Sequence, residues 1–163
     1  MLDKEEQLRR ITNGTLDPAE LEGLVGISYV IDRAVANHPC ANNIILKLLS
    51  VSPDIQTRRH VIKNPNVEQT IILSLASEFP HDFFTHPMLP FMLLEDPEVL
   101  RNLKPGALQA FLGSDDCSQA LVMFATRNGS QGEQMAVLRR ADVKLDIVEL
   151  LTKSQFPRVA ESA

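Results

Sequence analysis

Apolar residues recur along this chain at the three- to four-residue spacing of an α-helix, in short segments that prolines interrupt. The clearest segment follows Pro39, where Ile44, Ile45, Leu48 and Leu49 form one apolar stripe. No run alternates apolar and polar residues for long enough to predict a strand. The pattern therefore predicts an all-α protein built of many short helices.

Capping residues mark where several of these helices begin. Asp17, Pro18 and Glu20 form a start that resembles a capping box, and Ser28 and Asp54 each precede a helical segment. In the second half, helix starts are predicted at 96–98 and 114–116, and the last two helices at 134–140 and 143–151.

The chain also contains an internal repeat. The stretch from Arg33 to Pro39 aligns with Arg59 to Pro65, and a weaker third copy ends at Pro87, so the prolines are 26 and then 22 residues apart. Proline cannot continue the preceding helix and therefore makes a corner. A single copy cannot bury its own apolar face, so the copies are expected to stack and share a core. Asn37 and Asn64 are placed where a short side chain can bond the backbone at the corner.

These features resemble the leucine-rich repeat variant family, whose repeat carries an Arg, an apolar pair, an Asn-Pro corner and a Leu-rich helix. The resemblance covers roughly Arg33 to Leu94. It implies a right-handed superhelical solenoid of short stacked helices, without a common enzymatic activity. Some relatives hold an iron–sulfur cluster in a Cys-rich element, but this chain has only Cys40 and Cys117. The ends, before Ile27 and after Pro97, depart from the repeat and are interpreted as caps or as a HEAT-like continuation.

Length and composition predict the domain organisation of the chain and its cellular location. With 163 residues and 44% hydrophobic residues, we predict one helical-repeat domain over 1–151 and a flexible polar tail over 152–163. The first residues lack a signal-peptide pattern and the apolar runs are too short to span a bilayer, so a cytoplasmic protein without a membrane partner is expected. Cys40 and Cys117 are interpreted as reduced, buried thiols.

No residue pattern predicts catalysis, a metal site or a cofactor. His38 and His86 share one repeat position, but a zinc site needs three or four converging ligands, so both are interpreted as polar corner residues. Cys117 has no histidine placed by sequence to act as its base. The paired acids, such as Asp115 and Asp116, lie at helix ends, where capping and solvation explain them. The chain is therefore predicted not to be an enzyme.

The candidate binding residues are the basic cluster Arg58, Arg59, His60 and Lys63 on one predicted helix. This cluster would suit an acidic protein partner or a phosphate group. Two other interpretations stay open, because the cluster can be a solvated face and Arg59 matches Arg33 as a repeat-structural residue. The net charge of −5 makes nucleic acid an unfavoured partner.

Two apolar segments are further candidates for contacts. The first is rich in phenylalanine and methionine, and is expected to be mostly core with an exposed subset that would form a partner groove: Phe79, Phe83, Phe84, Met88, Phe91 and Met92. The second is the last apolar helix, which would form a homodimer through an uncapped end of the solenoid: Leu145, Ile147, Val148, Leu150 and Leu151.

The sequence thus favours a non-catalytic helical-repeat scaffold that mediates protein–protein interaction, with a partner whose identity it does not give. The alternative is phosphate or nucleic-acid binding through Arg58, Arg59 and Lys63, with Arg139 and Arg140 as additional residues. A third hypothesis, an enzyme or cofactor holder, requires a concave pocket lined by converging polar groups.

Overall fold

A computed structural model describes residues 4–14, 16–96, 98–103 and 105–163, and of Asn102 it describes the backbone. Within these ranges the chain forms α-helices, one 3₁₀ turn and no strand. The prediction of an all-α protein is confirmed. The described residues group into two compact units, one up to His86 and the other from Pro87 onward.

The first unit has seven helices among its described residues. Their bounds are α1 Lys4–Thr12, α2 Pro18–Glu22, α3 Tyr29–Ala36, α4 Asn43–Ser50, α5 Ile55–Lys63, α6 Gln69–Ala76 and α7 Pro80–Phe84.

Three helix starts in this unit were predicted correctly. The Asp17 carboxylate accepts the backbone N–H of Glu20, whose side chain accepts the N–H of Asp17 in return, a complete capping box. Ser28 caps α3 and Asp54 caps α5 in the same manner, each accepting an N–H from the first turn.

Alternate helices of this unit pack on one another. Helix α3 packs against α1 and α5, and α5 packs in turn against α7, while α4 and α6 contact each other and both contact α5. The apolar pairs that precede the corners are buried between these rows, as Val35 with Ala36 and Val61 with Ile62 show. Burial of these aliphatic side chains contributes to the stability of this unit.

The second unit follows the same alternation. Its helices are α8 Leu89–Glu95, α9 Ala107–Leu112, α10 Gln119–Asn128, α11 Gln131–Leu138, α12 Leu145–Leu151 and α13 Pro157–Ser162, with a 3₁₀ turn at Val99–Asn102. Helix α9 packs against α11, α11 against α13, and α10 against both α11 and α12.

Several predicted boundaries in the second unit differ from those observed. The cap of α10 is Ser118 rather than the predicted 114–116, and α11 begins at Gln131 because Ser130 and Glu133 form a capping box. The start predicted at 96–98 includes Pro97, which lies outside the described residues. Segment 152–163, predicted as a flexible tail, carries α13, whose Val159 is fully buried.

Several corners between helices are closed by a polar side chain that accepts the backbone N–H two residues ahead. His38 Nδ1 accepts the N–H of Cys40 at 3.0 Å, and Asn64 Oδ1 accepts that of Asn66 at 2.9 Å. The equivalent of Asn64 is therefore His38 and not Asn37, which is exposed. The same bond recurs in the second unit, at Ser114 and Ser154.

A second set of hydrogen bonds ties two of the corners, one in each unit, to an earlier corner. The buried Asn64 amide donates to the carbonyls of Ala36 and His38, at 2.8 and 3.0 Å. In the second unit the Arg140 guanidinium donates to the carbonyls of Leu112 and Ser114. The sequence separations are the same in both cases, 28 and 26 residues.

The corner histidine His38 predicts an acid-sensitive stability. Burial lowers its pKa below the ordinary value, and Nε2 has no hydrogen-bond partner among the described residues. On acidification the unfolded chain therefore binds a proton at His38 that the folded chain does not. The stabilisation that neutral His38 gives to the folded state is fully present above about pH 6.5 and is lost as the pH falls below that value. In His38→Asn the Asn64-like side chain keeps the corner bond without titrating. We expect its melting temperature to fall less than that of the wild type between about pH 7.5 and about pH 5.

The control for this experiment is His81→Asn, which removes a histidine that lies on the surface. This control is expected to lose as much stability on acidification as the wild type. An equally large loss in His38→Asn would show that His38 does not cause the acid sensitivity.

Candidate functional site

The predicted basic cluster lies on α5, where two of its members share one carboxylate. Arg59 Nε lies 2.7 Å from Asp82 Oδ2, and Lys63 Nζ lies 3.1 Å from Asp82 Oδ1. Asp82 belongs to α7 and its side chain is buried. Because one buried carboxylate faces two cations, much of the positive charge of this surface is balanced from within the unit.

Arg58, also on α5, has a different partner. Its guanidinium binds both carboxylate oxygens of Glu78 and also donates to the carbonyl of Ser52. The bonds to Glu78 raise the pKa of Arg58, and all three bonds hold its side chain, which is only 20% exposed, against the protein. A guanidinium engaged on both edges has few donors left for a phosphate group.

Arg59 repeats the arrangement of Arg33, as the sequence alignment suggested. Arg33 donates from Nε and Nη2 to the carboxylate of Asp54, the N-cap of α5, at 2.8 and 2.6 Å. The bonds from Arg33, followed by those from Thr57, hold the pKa of Asp54 well below its ordinary range. Each arginine thus joins its helix to an acid 21 or 23 residues later.

His60 lies between these ion pairs and is partly buried. Its pKa is lowered mainly by burial and further by the neighbouring cations Lys63 and Arg33. At neutral pH the imidazole is therefore neutral and adds no charge to the surface. The structure brings the four predicted residues together, but as part of an internally paired network.

A groove that the sequence analysis did not single out lies in the same unit. It has a volume of about 590 Å³ and runs between the start of α3 and the end of α4. Four large apolar side chains line it while remaining open to solvent: Ile27, Tyr29, Leu48 and Val51, which are 49, 54, 52 and 81% exposed.

The groove exists because the apolar surface of α4 is wider than the part that the neighbouring helices bury. Ile45 and Leu49 are buried in the core, while Ile44 and Leu48 are 61 and 52% exposed. The predicted stripe is therefore two parallel rows, of which one packs inward and the other faces solvent. The sequence signal for this groove was that the apolar residues of α4 occur in adjacent pairs four residues apart. Such pairs make an apolar surface wider than one buried face requires.

A carboxylate lines this apolar groove. Asp32, in the first turn of α3, is 6% exposed, and its Oδ1 accepts the backbone N–H of Gly26 at 2.7 Å. Gly26 has a φ of +84°, so the left-handed turn that presents this N–H favours glycine. Asp32 forms no ion pair with any residue that the structure describes.

The two cysteines differ in their exposure. Cys117 is buried, and burial raises the pKa of its thiol, which disfavours the reactive thiolate. The prediction that both cysteines are buried was wrong for Cys40, which follows the exposed Pro39 at a corner. Across the described ranges no group of His, Cys, Asp and Glu could hold a metal ion.

The other apolar candidates divide between core and surface. Of the phenylalanine-rich segment, Phe91 and Met88 are exposed, while the remaining members are buried: Phe79, Phe83, Phe84 and Met92. In the predicted dimer helix α12, the side chains of Ile147 and Leu151 are buried, and those of Leu145 and Leu150 are exposed.

Compared with family models, with curated proteins and with solved structures, the chain matches none. Among the described helices none is long and apolar enough to cross a membrane. The fold and the groove define the molecule as an all-helical protein with an exposed apolar groove in its first unit.

Proposed function

We propose that this protein is a non-catalytic helical-repeat scaffold that binds another protein through the groove between α3 and α4. The observation that carries the proposal is the group of exposed apolar side chains along this groove, since such groups on a protein surface mark interaction sites. Tyr29 supports it further, because a partly exposed tyrosine offers both an apolar ring and a hydrogen-bonding hydroxyl to a partner.

The repeat architecture is part of the proposal. The recurring corner bonds of His38, Asn64, Ser114 and Ser154 support it, as does the resemblance to the leucine-rich repeat variant family. A cytoplasmic location is also part of it, and the exposed free thiol of Cys40 suits a reducing compartment.

The alternative, phosphate or nucleic-acid binding through the basic cluster, receives less support. Asp82 and Glu78 already pair with Arg59, Lys63 and Arg58, so an anion would have to displace carboxylates of the protein itself.

The groove predicts which substitutions abolish partner binding. In the double variant Leu48→Asp/Val51→Asp, two exposed side chains become charged, so the fold is kept while the apolar contact is lost. We expect at least about a tenfold loss of affinity for a partner that the wild-type protein captures from lysate of its source. Binding would be measured by titration of the purified partner.

Leu145→Asp is the control, because it also replaces an exposed leucine with a negatively charged residue, but in the other unit. It should bind as the wild type does. Equal affinity of all three proteins would refute the groove as the site, and a loss in Lys63→Ala alone would favour the basic cluster.

A further inference from the structure

The groove between α3 and α4 is apolar along most of its lining but contains one acid, Asp32. Asp32 is only 6% exposed, so its side chain keeps little contact with water. Burial of a charge is costly unless a hydrogen bond or a counter-ion compensates for it. Among the described residues, the hydrogen bond that the Gly26 backbone N–H donates to Asp32 satisfies only part of this requirement, because it engages one of the two carboxylate oxygens.

Among its described residues the first unit supplies no cation to this acid, although it pairs other acids with arginines. Asp54 and Asp82 each receive an arginine from the preceding copy of the repeat. The described residues offer Asp32 no lysine, arginine or histidine within ion-pair distance, although it lies in the same fold. The carboxylate is therefore available to a cation from outside the chain.

We propose that the groove recognises a protein segment in which a lysine or arginine lies beside a large apolar residue. The cationic side chain pairs with Asp32, and the apolar side chain packs against Tyr29, Leu48 and Val51. This inference rests on the proposed function and adds the chemistry of the partner. Shape provides the apolar contact, while the buried carboxylate provides the selectivity for a basic segment.

The same acid argues against other occupants. A phosphate group or an anionic membrane surface would be repelled by a carboxylate within the groove. A purely apolar segment would cover Asp32 and remove its remaining contact with water without supplying a cation. A segment that is both apolar and basic supplies the apolar contact and the cation for Asp32.

The test is a selection of short random peptides on the full-length wild-type protein, followed by titration of one selected peptide. Asp32→Asn keeps the oxygen that accepts the Gly26 N–H and removes only the charge, so melting temperature serves as the check on folding. Glu22→Gln is the matched control, because Glu22 is an exposed acid outside the groove lining.

We expect the selected peptides to carry Lys or Arg within one helical turn of Leu, Ile, Met or Phe. Such a peptide should bind Glu22→Gln as it binds the wild type, and Asp32→Asn about tenfold more weakly. Replacing its basic residue with glutamine should weaken binding to the wild type equally, and should have no further effect on binding to Asp32→Asn.

Three outcomes would overturn the inference. In the first outcome, the selected peptides lack a basic residue or bind Asp32→Asn as tightly as the wild type, but they do not bind Leu48→Asp/Val51→Asp. The groove would then remain the binding site, and the proposed chemistry of the partner would be wrong. If no peptide is enriched, or if the peptides bind the double variant as well as the wild type, then a linear segment is not the ligand of this groove. Self-association of the wild type that the double variant abolishes would identify a second copy as the occupant.

Discussion

Asn64→Ala is expected to lower the free energy of unfolding by about 3 kcal/mol, since a buried polar group that loses its partner costs about 1–3 kcal/mol. The substitution removes an amide that donates to the carbonyls of Ala36 and His38 and accepts the N–H of Asn66. Alanine is too short to replace any of these bonds. The change would be measured by urea denaturation followed by far-UV circular dichroism.

Asn66→Ala provides the matched control for this variant. Its amide also donates to two carbonyls of the earlier corner, those of Pro39 and Ala41, but the residue is exposed and water can replace the lost bonds. A loss of less than about 1 kcal/mol is expected there. If the two variants were equally stable, the buried bonds of Asn64 would not be what secures the corner.

Arg140→Met should have the second-largest effect, a loss of about 2 kcal/mol. The Arg140 side chain is 7% exposed and its guanidinium donates to the carbonyls of Leu112 and Ser114, while methionine keeps the aliphatic packing and has no donor. The bond to Asp142 keeps the pKa of Arg140 above its ordinary value, so the charge is present throughout the accessible pH range. Thermal and urea denaturation would both measure the change.

Asp142→Asn separates the two roles of Arg140. Asp142 is 57% exposed, so its ion pair with Arg140 is worth little, and the loss should stay below about 1 kcal/mol. A larger effect of Asp142→Asn than of Arg140→Met would mean that the surface pair, and not the bonds to the earlier corner, accounts for the stability.

The all-helical class and several helix starts were predictable because the signals are local. A capping acid and a proline such as Asp17 and Pro18 act within one turn of helix, and the structure has them as predicted. The Arg140 corner was missed because its residue type differs from the Asn-Pro pattern. Only the positions of the carbonyls of Leu112 and Ser114 in space reveal that Arg140 does what Asn64 does.

The candidate site was less predictable because it depends on contacts between distant residues. The basic residues of α5 were found, but the acids that balance them lie about 20 residues later, on other elements. The periodicity of α4 gave the apolar rows but could not decide which row faces solvent, because both are equally apolar. That choice is made by the packing of α4 against α3, α5 and α6.

The direction of the corner bonds has a consequence for synthesis. In both units the donor belongs to the later corner and the acceptors to the earlier one, 26 and 28 residues upstream. During translation, the carbonyls of Ala36 and His38 lack this hydrogen-bond donor until Asn64 has emerged from the ribosome. A nascent or truncated chain that stops short of Asn64 or of Arg140 leaves its last corner open, so viable break points lie beyond each closing residue.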